Sequence, residues 1–549
     1  MARQSVLLVL ALIPACPVQA AESVPDAAPG LLGRDVALPR ERPNPDRKIA
    51  PTTVEPGLDA NVQPLDVSEI QIGAVHVVGA THLEPGAFAD IVERHIGLTT
   101  DANGLQALAR AMAERARERG YIFSSAAVPK QDVNIGIIRV DLDEGAVDEV
   151  QISGSNNGHL RRVLDDLLGK AVPRARVERQ LLLAGDIPGI TILSTRYARE
   201  NGRGVLFVQA KERRARGSAF IDNAGSPDFG PVRARLEFEL NGLLDSDDRL
   251  SISVVATPAQ PRELTFVATR YSNIIAANGT QIAISAAAGR THATDKAAAF
   301  EAVGHSRYLA ASISTPLIRS NDANIWLSGE IAYLTVDQDF MTLAFQRDDI
   351  VTVTLSGSGS IRMAGGRLHA GLDFTRGLGI LGATSSGDPF ASRADGSGEF
   401  TKAQAWLNWS GKLGGGLTLR IAALGQIASR PLLGAQEIGL GGPGFGRAFD
   451  FSERFGDQGV MGLVELRRRF DAPLHGIDWA QPYVFVDGGY IDNLRGGFGG
   501  GTLLSAGSGL RAGIGEAEMG FELALPIQTG PSGTGYKSPE VNFSVGYRF

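Results

Sequence analysis

The 549-residue chain is long enough for several domains, with 68 glycines, one cysteine and a formal net charge of −7. So small an acidic surplus argues against a general nucleic-acid binder, which presents a basic face. No stretch approaches the roughly 18 uninterrupted apolar residues of a transmembrane helix, which excludes a helical membrane protein but not a β-barrel.

The N-terminus reads as a secretory signal: Arg3, an apolar run from Val6 to Ala15, then Val18-Gln19-Ala20. Residues 1–20 are the expected signal peptide, cut near Ala20 or Ala21. The rival is a lipoprotein signal ending at Cys16, but Pro14 and Pro17 flank the Ala15-Cys16 pair and make a poor lipobox. With the preferred cut the mature chain has no cysteine. An exported barrel tolerates that, because its closed hydrogen-bond ladder replaces cross-links. Residues 21–66 are rich in proline and charge, without helical or strand period. They are expected to be a flexible periplasmic linker or a plug segment.

Residues 67–145 change in texture. Ile70, Ile72, Val75, Val77 and Val78 suggest a strand, and a helix follows over 85–95. Leu105, Leu108, Met112 and Ala116 recur at helical spacing until Gly120, a C′ glycine. Strands are expected over 121–128 and 135–142. Residues 146–214 repeat the order: a strand over 147–152, a helix carrying Leu160, Val163, Leu164 and Leu167, and another carrying Val177, Leu181 and Ala184. Strands over 190–197 and 205–210 complete it. Two units of about 70 residues with one βααββ order are an internal repeat. The order resembles that of POTRA (polypeptide-transport-associated) domains. Such modules can bind an extended peptide by adding it to a free sheet edge, and the plainer reading makes them spacers.

From about Ser218 the chain becomes alternating strands separated by Gly, Asp, Asn and Ser turns. Val232, Ala234, Leu236, Phe238 and Leu240 alternate with Arg233, Arg235, Glu237, Glu239 and Asn241. Four charges on one face rule out a dry core there and suit a lumen filled with water. Further candidates centre on 220, 253, 267, 284, 308, 328, 354, 371, 405, 421, 463, 485, 508, 521 and 545, making roughly sixteen strands in residues 215–549, enough for an aqueous channel. The last strand, Val541 to Phe549, has an apolar residue at every odd position and ends on an aromatic. It is expected to pair with the first strand, since an open edge in lipid leaves backbone groups unpaired.

One connection, 429–457, is far longer than a hairpin needs and contains Gly439-Leu440-Gly441-Gly442-Pro443-Gly444-Phe445-Gly446-Arg447-Ala448-Phe449-Asp450. Folded back into the lumen, Arg447 would need a counter-charge. The candidate is Asp487 in the apolar run Phe485-Val486-Asp487-Gly488-Gly489. The alternative is an exposed loop arginine and an aspartate near a turn.

Together these residues resemble the outer-membrane transporters of two-partner secretion, the haemolysin secretion/activation family. Gly120-Tyr121, Ala127-Val128-Pro129-Lys130-Gln131 and Glu144-Gly145 are similar to its first POTRA domain. Glu178 to Leu183 and Asp186-Ile187-Pro188-Gly189 are similar to its second. Asp222-Asn223-Ala224-Gly225, Pro316-Leu317-Ile318-Arg319, Gln426, Pro431-Leu432, Glu437, Gly456-Asp457 and Glu465-Leu466-Arg467 extend the resemblance through the barrel. It implies a transmembrane barrel of sixteen antiparallel strands behind two POTRA domains. The lumen motif falls on Arg447, Ala448, Phe449 and Asp450. The barrel-wall motif falls on Phe485, Asp487 and Gly489. Tyr547 and Phe549 fall where the C-terminal signal for the barrel-assembly machinery stands. Gly446 and Ala448 depart from the family, which favours valine and glycine there, so a differently shaped tip is expected.

The implied function is export of a large, unfolded partner exoprotein from periplasm to cell surface, with outer-membrane lipid around the barrel and the POTRA domains in the periplasm. No enzyme activity, metal, cofactor or nucleic-acid partner is expected. The alternative is a barrel-assembly or insertase protein of the same superfamily, which tends to carry more POTRA repeats. A porin would have no use for the repeats. His305-Ser306 and His369 show no acid–His–Ser spacing that a hydrolase needs. Trp326, Trp406 and Trp409 read as strand packing or an interfacial girdle.

Overall fold

The computed structural model describes residues 52–54, 69–131, 136–225, 230–293, 301–341, 343–474, 476–529 and 538–549. The expected signal peptide, Cys16 and most of the proline-rich stretch lie outside these residues.

In the first module, helix α1 (Ala89–His95) and helix α2 (Ala102–Glu118) cover a sheet of Ala74–Val78, Ile137–Asp143 and Ser125–Ala127. Asp101 starts α2 by accepting a hydrogen bond from Gly104 N, and Gly120 follows its end at φ +102°. Leu105, Leu108, Met112 and Ala116 form the fully buried stripe of α2. The strand expected over 121–128 is reduced to Ser125–Ala127. Its first half turns instead, so that Phe123 leaves the first module and stacks on Tyr197 of the second with ring centroids 4.0 Å apart. Burying two aromatic rings outweighs extending the strand.

The second module repeats the plan, with helices α3 (Gly158–Asp165) and α4 (Arg174–Asp186) on strands Glu149–Ser153, Ile190–Glu200 and Arg203–Glu212. Its sheet has one more member. Thr53–Val54 adds in parallel to Ile190–Glu200, Thr53 opposite Arg196 and Val54 opposite Tyr197. The proline-rich stretch is therefore not linker throughout.

The second module is docked on the turns at one mouth of the barrel. Asp186, the last residue of α4, receives Arg319 Nη2 at 2.6 Å and Nε at 2.7 Å, and Arg319 is 2% exposed. Glu178 accepts from Asn321 N at 2.5 Å, and Arg179 reaches Pro316 O at 3.2 Å. At the start of α3, Asn157 donates to Ser246 O at 2.7 Å and His159 meets Asp247 at 2.8 Å. Two segments that resemble the family in sequence, 186–189 and 316–319, thus belong to one joint.

From Ala215–Asp222 to Glu540–Arg548, sixteen antiparallel strands close into a barrel, one of them Gln458–Arg468 continued by Phe470–Leu474. Each expected strand centre falls in a strand of its own. Val541, Phe543, Val545, Tyr547 and Phe549 are 42–62% exposed and face lipid. The period of two then turns Arg233 inward, where it pairs with Asp222 at 3.0 Å. Trp326 also faces inward, under the Arg319 guanidinium at 5.1 Å, whereas Trp409 donates to Met363 O at 3.1 Å. The lumen is drier than sixteen strands alone imply. Phe266, Leu334, Val336 and Ile350 of the wall pack with Phe400, Leu432 and Leu433 in one apolar cluster. Residues 379–400 and 429–457 supply those last three, so side chains fill space that water was expected to occupy.

Glu144 ties residues 81–83 to the end of the first module's sheet. Its carboxylate accepts from Thr81 N (2.9 Å), Thr81 Oγ1 (2.6 Å), His82 N (2.8 Å) and Leu83 N (2.9 Å). Burial pushes this carboxyl up, but hydrogen bonds from Thr81, His82 and Leu83 outweigh it and hold its pKa below 4.5. A depressed folded pKa contributes stability above that ordinary value and loses it as the pH falls through the folded one. Glu144→Gln is expected to cost the first module about 1–3 kcal/mol at neutral pH and to lose less of its remaining stability on acidification than the parent. Protease protection of residues 70–145 as a function of denaturant and pH measures both.

Candidate functional site

The site is built where the long connection turns back into the barrel. Ile438–Leu440 pairs antiparallel with Arg454–Gly456, giving the loop a short stem of its own. Beyond the stem the backbone tightens: Gly441 N donates to Phe445 O at 2.9 Å, and Phe449 N to Gly446 O at 3.0 Å. Gly441 has φ +121°, and a Cβ there would meet Asp450 O at 2.2 Å. Gly442 and Gly446 are left-handed as well, at φ +86° and +83°. Ala448 keeps ordinary backbone and buries its methyl at 2% exposure. The departure from the family's glycine is thus accommodated, because the left-handed conformation falls on Gly446.

Phe445, Ala448 and Phe449 are buried with Ile438, Leu440, Met461 and Leu463, and this apolar packing delivers Arg447 to the barrel wall. Arg447 is 5% exposed. Its Nη1 donates to Glu522 at 2.8 Å and to Glu465 at 3.2 Å, and its Nη2 to Glu465 at 3.1 Å. The Phe485 ring lies beneath the guanidinium, 4.3 Å from Cζ. Asp487 is near but placed differently. Its Oδ2 is 3.4 Å from Arg447 Nε, within ion-pair range, yet neither atom makes a hydrogen bond. Its Oδ1 accepts from the Arg447 backbone N–H at 3.4 Å and from the Ser505 hydroxyl.

The expected Arg447 and Asp487 are therefore brought together, but the carboxylates that hold the guanidinium by hydrogen bonds are Glu465 and Glu522. Arg511 shares Glu465 at 3.0 Å, Tyr483 donates to Glu522 at 2.8 Å, and Arg467 lies 3.9 Å from Glu465. Three guanidiniums, of Arg447, Arg467 and Arg511, face three carboxylates, of Glu465, Asp487 and Glu522. A balanced, hydrogen-bonded cluster is the form in which buried charge is tolerated. The strand period places Glu465, Arg511 and Glu522 on the lumen side, between lipid-facing Val464, Leu510, Phe521 and Leu523, but does not say which lumen charges meet.

Of the other expected residues, Gly489 lets its strand approach Met461, since a Cβ would stand 2.5 Å from Val460 O. Asp450 is exposed, and its carbonyl accepts from Glu453 N at 3.2 Å as the loop leaves the cluster. Tyr547 and Phe549 are remote from the cluster, at the barrel seam. There Phe549 exchanges backbone hydrogen bonds of 2.9 Å with Gly217 in both directions. Its ring covers Gly217, whose missing Cβ would meet it at 2.2 Å. Among the described residues no group of three or more His, Cys, Asp or Glu side chains is arranged to hold a metal.

The family model described as haemolysin secretion/activation protein ShlB/FhaC/HecB matches residues 204–512, and that of the ShlB-type POTRA domain matches residues 70–145. The heme/hemopexin transporter protein HuxB of Haemophilus influenzae is 23% identical over 282 residues, 49% of either chain, so the match spans about half of that relative's length. The outer membrane transporter CdiB of Escherichia coli is 21% identical over 502 residues, 87% of this chain and 82% of that one. Its solved structure superimposes with a TM-score of 0.71 at 19% identity, covering 90% of this chain and 95% of CdiB. BamA of Haemophilus ducreyi, lacking POTRA domains 1–3, reaches a TM-score of 0.50 at 14% identity, with coverages of 87% and 100%.

The unequal bonding of the carboxylates has a measurable consequence. Glu465→Gln is expected to loosen residues 439–457 more than Asp487→Asn, because Glu465 holds two guanidiniums and Asp487 accepts chiefly from a backbone N–H and a hydroxyl. Limited proteolysis of that loop ranks them; the reverse order would give Asp487 the larger share.

Proposed function

Because the chain belongs to the haemolysin secretion/activation family (ShlB/FhaC/HecB), we propose that it is an outer-membrane transporter exporting a large partner exoprotein from periplasm to cell surface. The two POTRA modules catch the unfolded passenger, pairing with its backbone at a sheet edge. The barrel lumen conducts it outward, and its folding outside makes return unfavourable. The observation that carries this reading is the arrangement at the lumen: a loop folded inward on one buried guanidinium, with the second module docked on the opposite mouth. Such a loop is a closure that can be withdrawn.

Three carboxylates seat Arg447, so withdrawal must overcome a charge cluster, and removing one partner leaves uncompensated charge. The Arg447, Ala448, Phe449 and Asp450 segment and the Phe485, Asp487 and Gly489 wall act as this seat. Tyr547 and Phe549, exposed at the end of the last strand, are the signal by which the barrel-assembly machinery takes up the protein. A passive porin is disfavoured by the inward loop and the docked second module. An assembly factor like BamA shares the barrel, and the family match favours secretion.

Asp487→Ala is expected to lower release of the partner exoprotein several-fold while the barrel still assembles, as judged by heat-modifiable migration. Secretion at the parent level from an assembled barrel would count heavily against the loop seat.

A further inference from the structure

The barrel closes at a seam between its first and last strands, and the seam is short. Ala215–Asp222 and Glu540–Arg548 are in register from Ser218 opposite Arg548 to Asp222 opposite Ser544. Beyond Asp222 the chain bends away, since Ala224 N donates to Asp222 Oδ1 at 2.9 Å and Gly225 N to Pro231 O at 3.0 Å. Val541 and Phe543 would then face the bilayer with open backbone groups, which lipid cannot satisfy.

Asn223 prevents this. Its backbone N–H reaches Phe543 O at 3.4 Å, but the paired register ends one residue earlier, at Asp222 opposite Ser544. The side-chain carboxamide replaces the peptide that is missing: Oδ1 accepts from Phe543 N at 2.7 Å, and Nδ2 donates to Val541 O at 2.7 Å. An amide has the donor and acceptor of a backbone unit, so the ladder continues past the end of the strand. Asn542, between these residues, turns to the lumen. Its Nδ2 lies 3.4 Å from Arg447 O and 3.4 Å from Glu522 Oε1. Asn223, Ala224 and Gly225 line one cleft with Gly442, Arg447 and Phe449. Residues 541–543 are thus held at the seam by Asn223 and from the lumen by the Arg447 loop.

We propose that Asn223 is a positioning residue for transport: it clips the outer end of the barrel seam, and keeps it shut when withdrawal of the Arg447 loop releases Asn542. This rests on the secretion reading for its purpose, because a passenger in an unclipped barrel could slip sideways into lipid. The clip itself is a property of the barrel and is tested without any passenger.

The test is hydrogen–deuterium exchange on the full chain in detergent, resolved to the Phe543 amide. In Asn223→Ala that amide loses its acceptor, and its exchange is expected to quicken about tenfold. Asn223→Asp keeps an oxygen for Phe543 N–H and is expected to stay near the parent rate. Asn223→Leu fills the same space without an acceptor and is expected to exchange as fast as Asn223→Ala, which a merely space-filling residue would not predict. Combining Asn223→Ala with Arg447→Ala removes both restraints and is expected to speed exchange beyond the product of the single effects. Unchanged Phe543 exchange in Asn223→Ala overturns the clip, and a simple product in the double variant overturns its coupling to the loop. Should Asn223→Ala fail to assemble, Asn223→Asp and Arg447→Ala give the same decision: Phe543 exchange in Asn223→Asp as fast as in an unstructured peptide refutes the clip. A cross-seam disulfide from Ile221→Cys and Val545→Cys, residues in register, is expected to restore protection to Asn223→Ala. If protection returns but secretion in the parent is absent, the transport reading fails and the clip stands.

Discussion

A sheet can stand in hydrocarbon only if every backbone group on it is paired, and this constraint shapes the barrel from its first strand to its last. Fifteen of the sixteen junctions join neighbours in sequence, which a hairpin or loop brings together. The seam has no such help. It must bring Ala215–Asp222 to Glu540–Arg548 across the whole length of the barrel. The chain answers at both ends: Phe549 and Gly217 exchange backbone hydrogen bonds at one, and a side-chain amide extends the ladder at the other. Gly217 has no side chain because the Phe549 ring occupies its place.

Inside, the dominant cost is desolvation of charge. A guanidinium taken from water costs several kcal/mol unless its donors are met, and Arg447 meets Glu465, Glu522 and the Phe485 ring while Arg467 and Arg511 balance the remaining acid. Apolar burial of Phe445, Ala448 and Phe449 adds to that seat. The same packing makes the loop a discrete object, with a stem and a tip, rather than a slack cover. The proposed closure of the lumen rests on this one cluster, and the seam is joined to it through Asn542.

Much of the architecture was legible because barrel strands and POTRA helices obey simple periods. Every strand centre could be placed from alternation, and α2 from Leu105, Leu108, Met112 and Ala116. What escaped were features decided by a distant partner. Nothing around Phe123 says that it will stack on Tyr197, and nothing in Thr53–Val54 says that it will pair with residues 143 positions later. Arg447 could be read as a buried cation and Asp487 as a companion, because each is anomalous in its local run. Glu465 and Glu522 sit among many lumen charges, and only the fold tells which of them meet the guanidinium. Asn223 is still less visible, since an asparagine before a turn has an ordinary local explanation.

Single-channel recording on the full chain in a planar bilayer tests most directly the claim that an ion-held loop closes the lumen. The parent is expected to stay at low conductance, and Arg447→Ala to show a stable, larger opening as the loop loses its seat. Equal conductance from the two proteins, with both barrels assembled, would contradict the account.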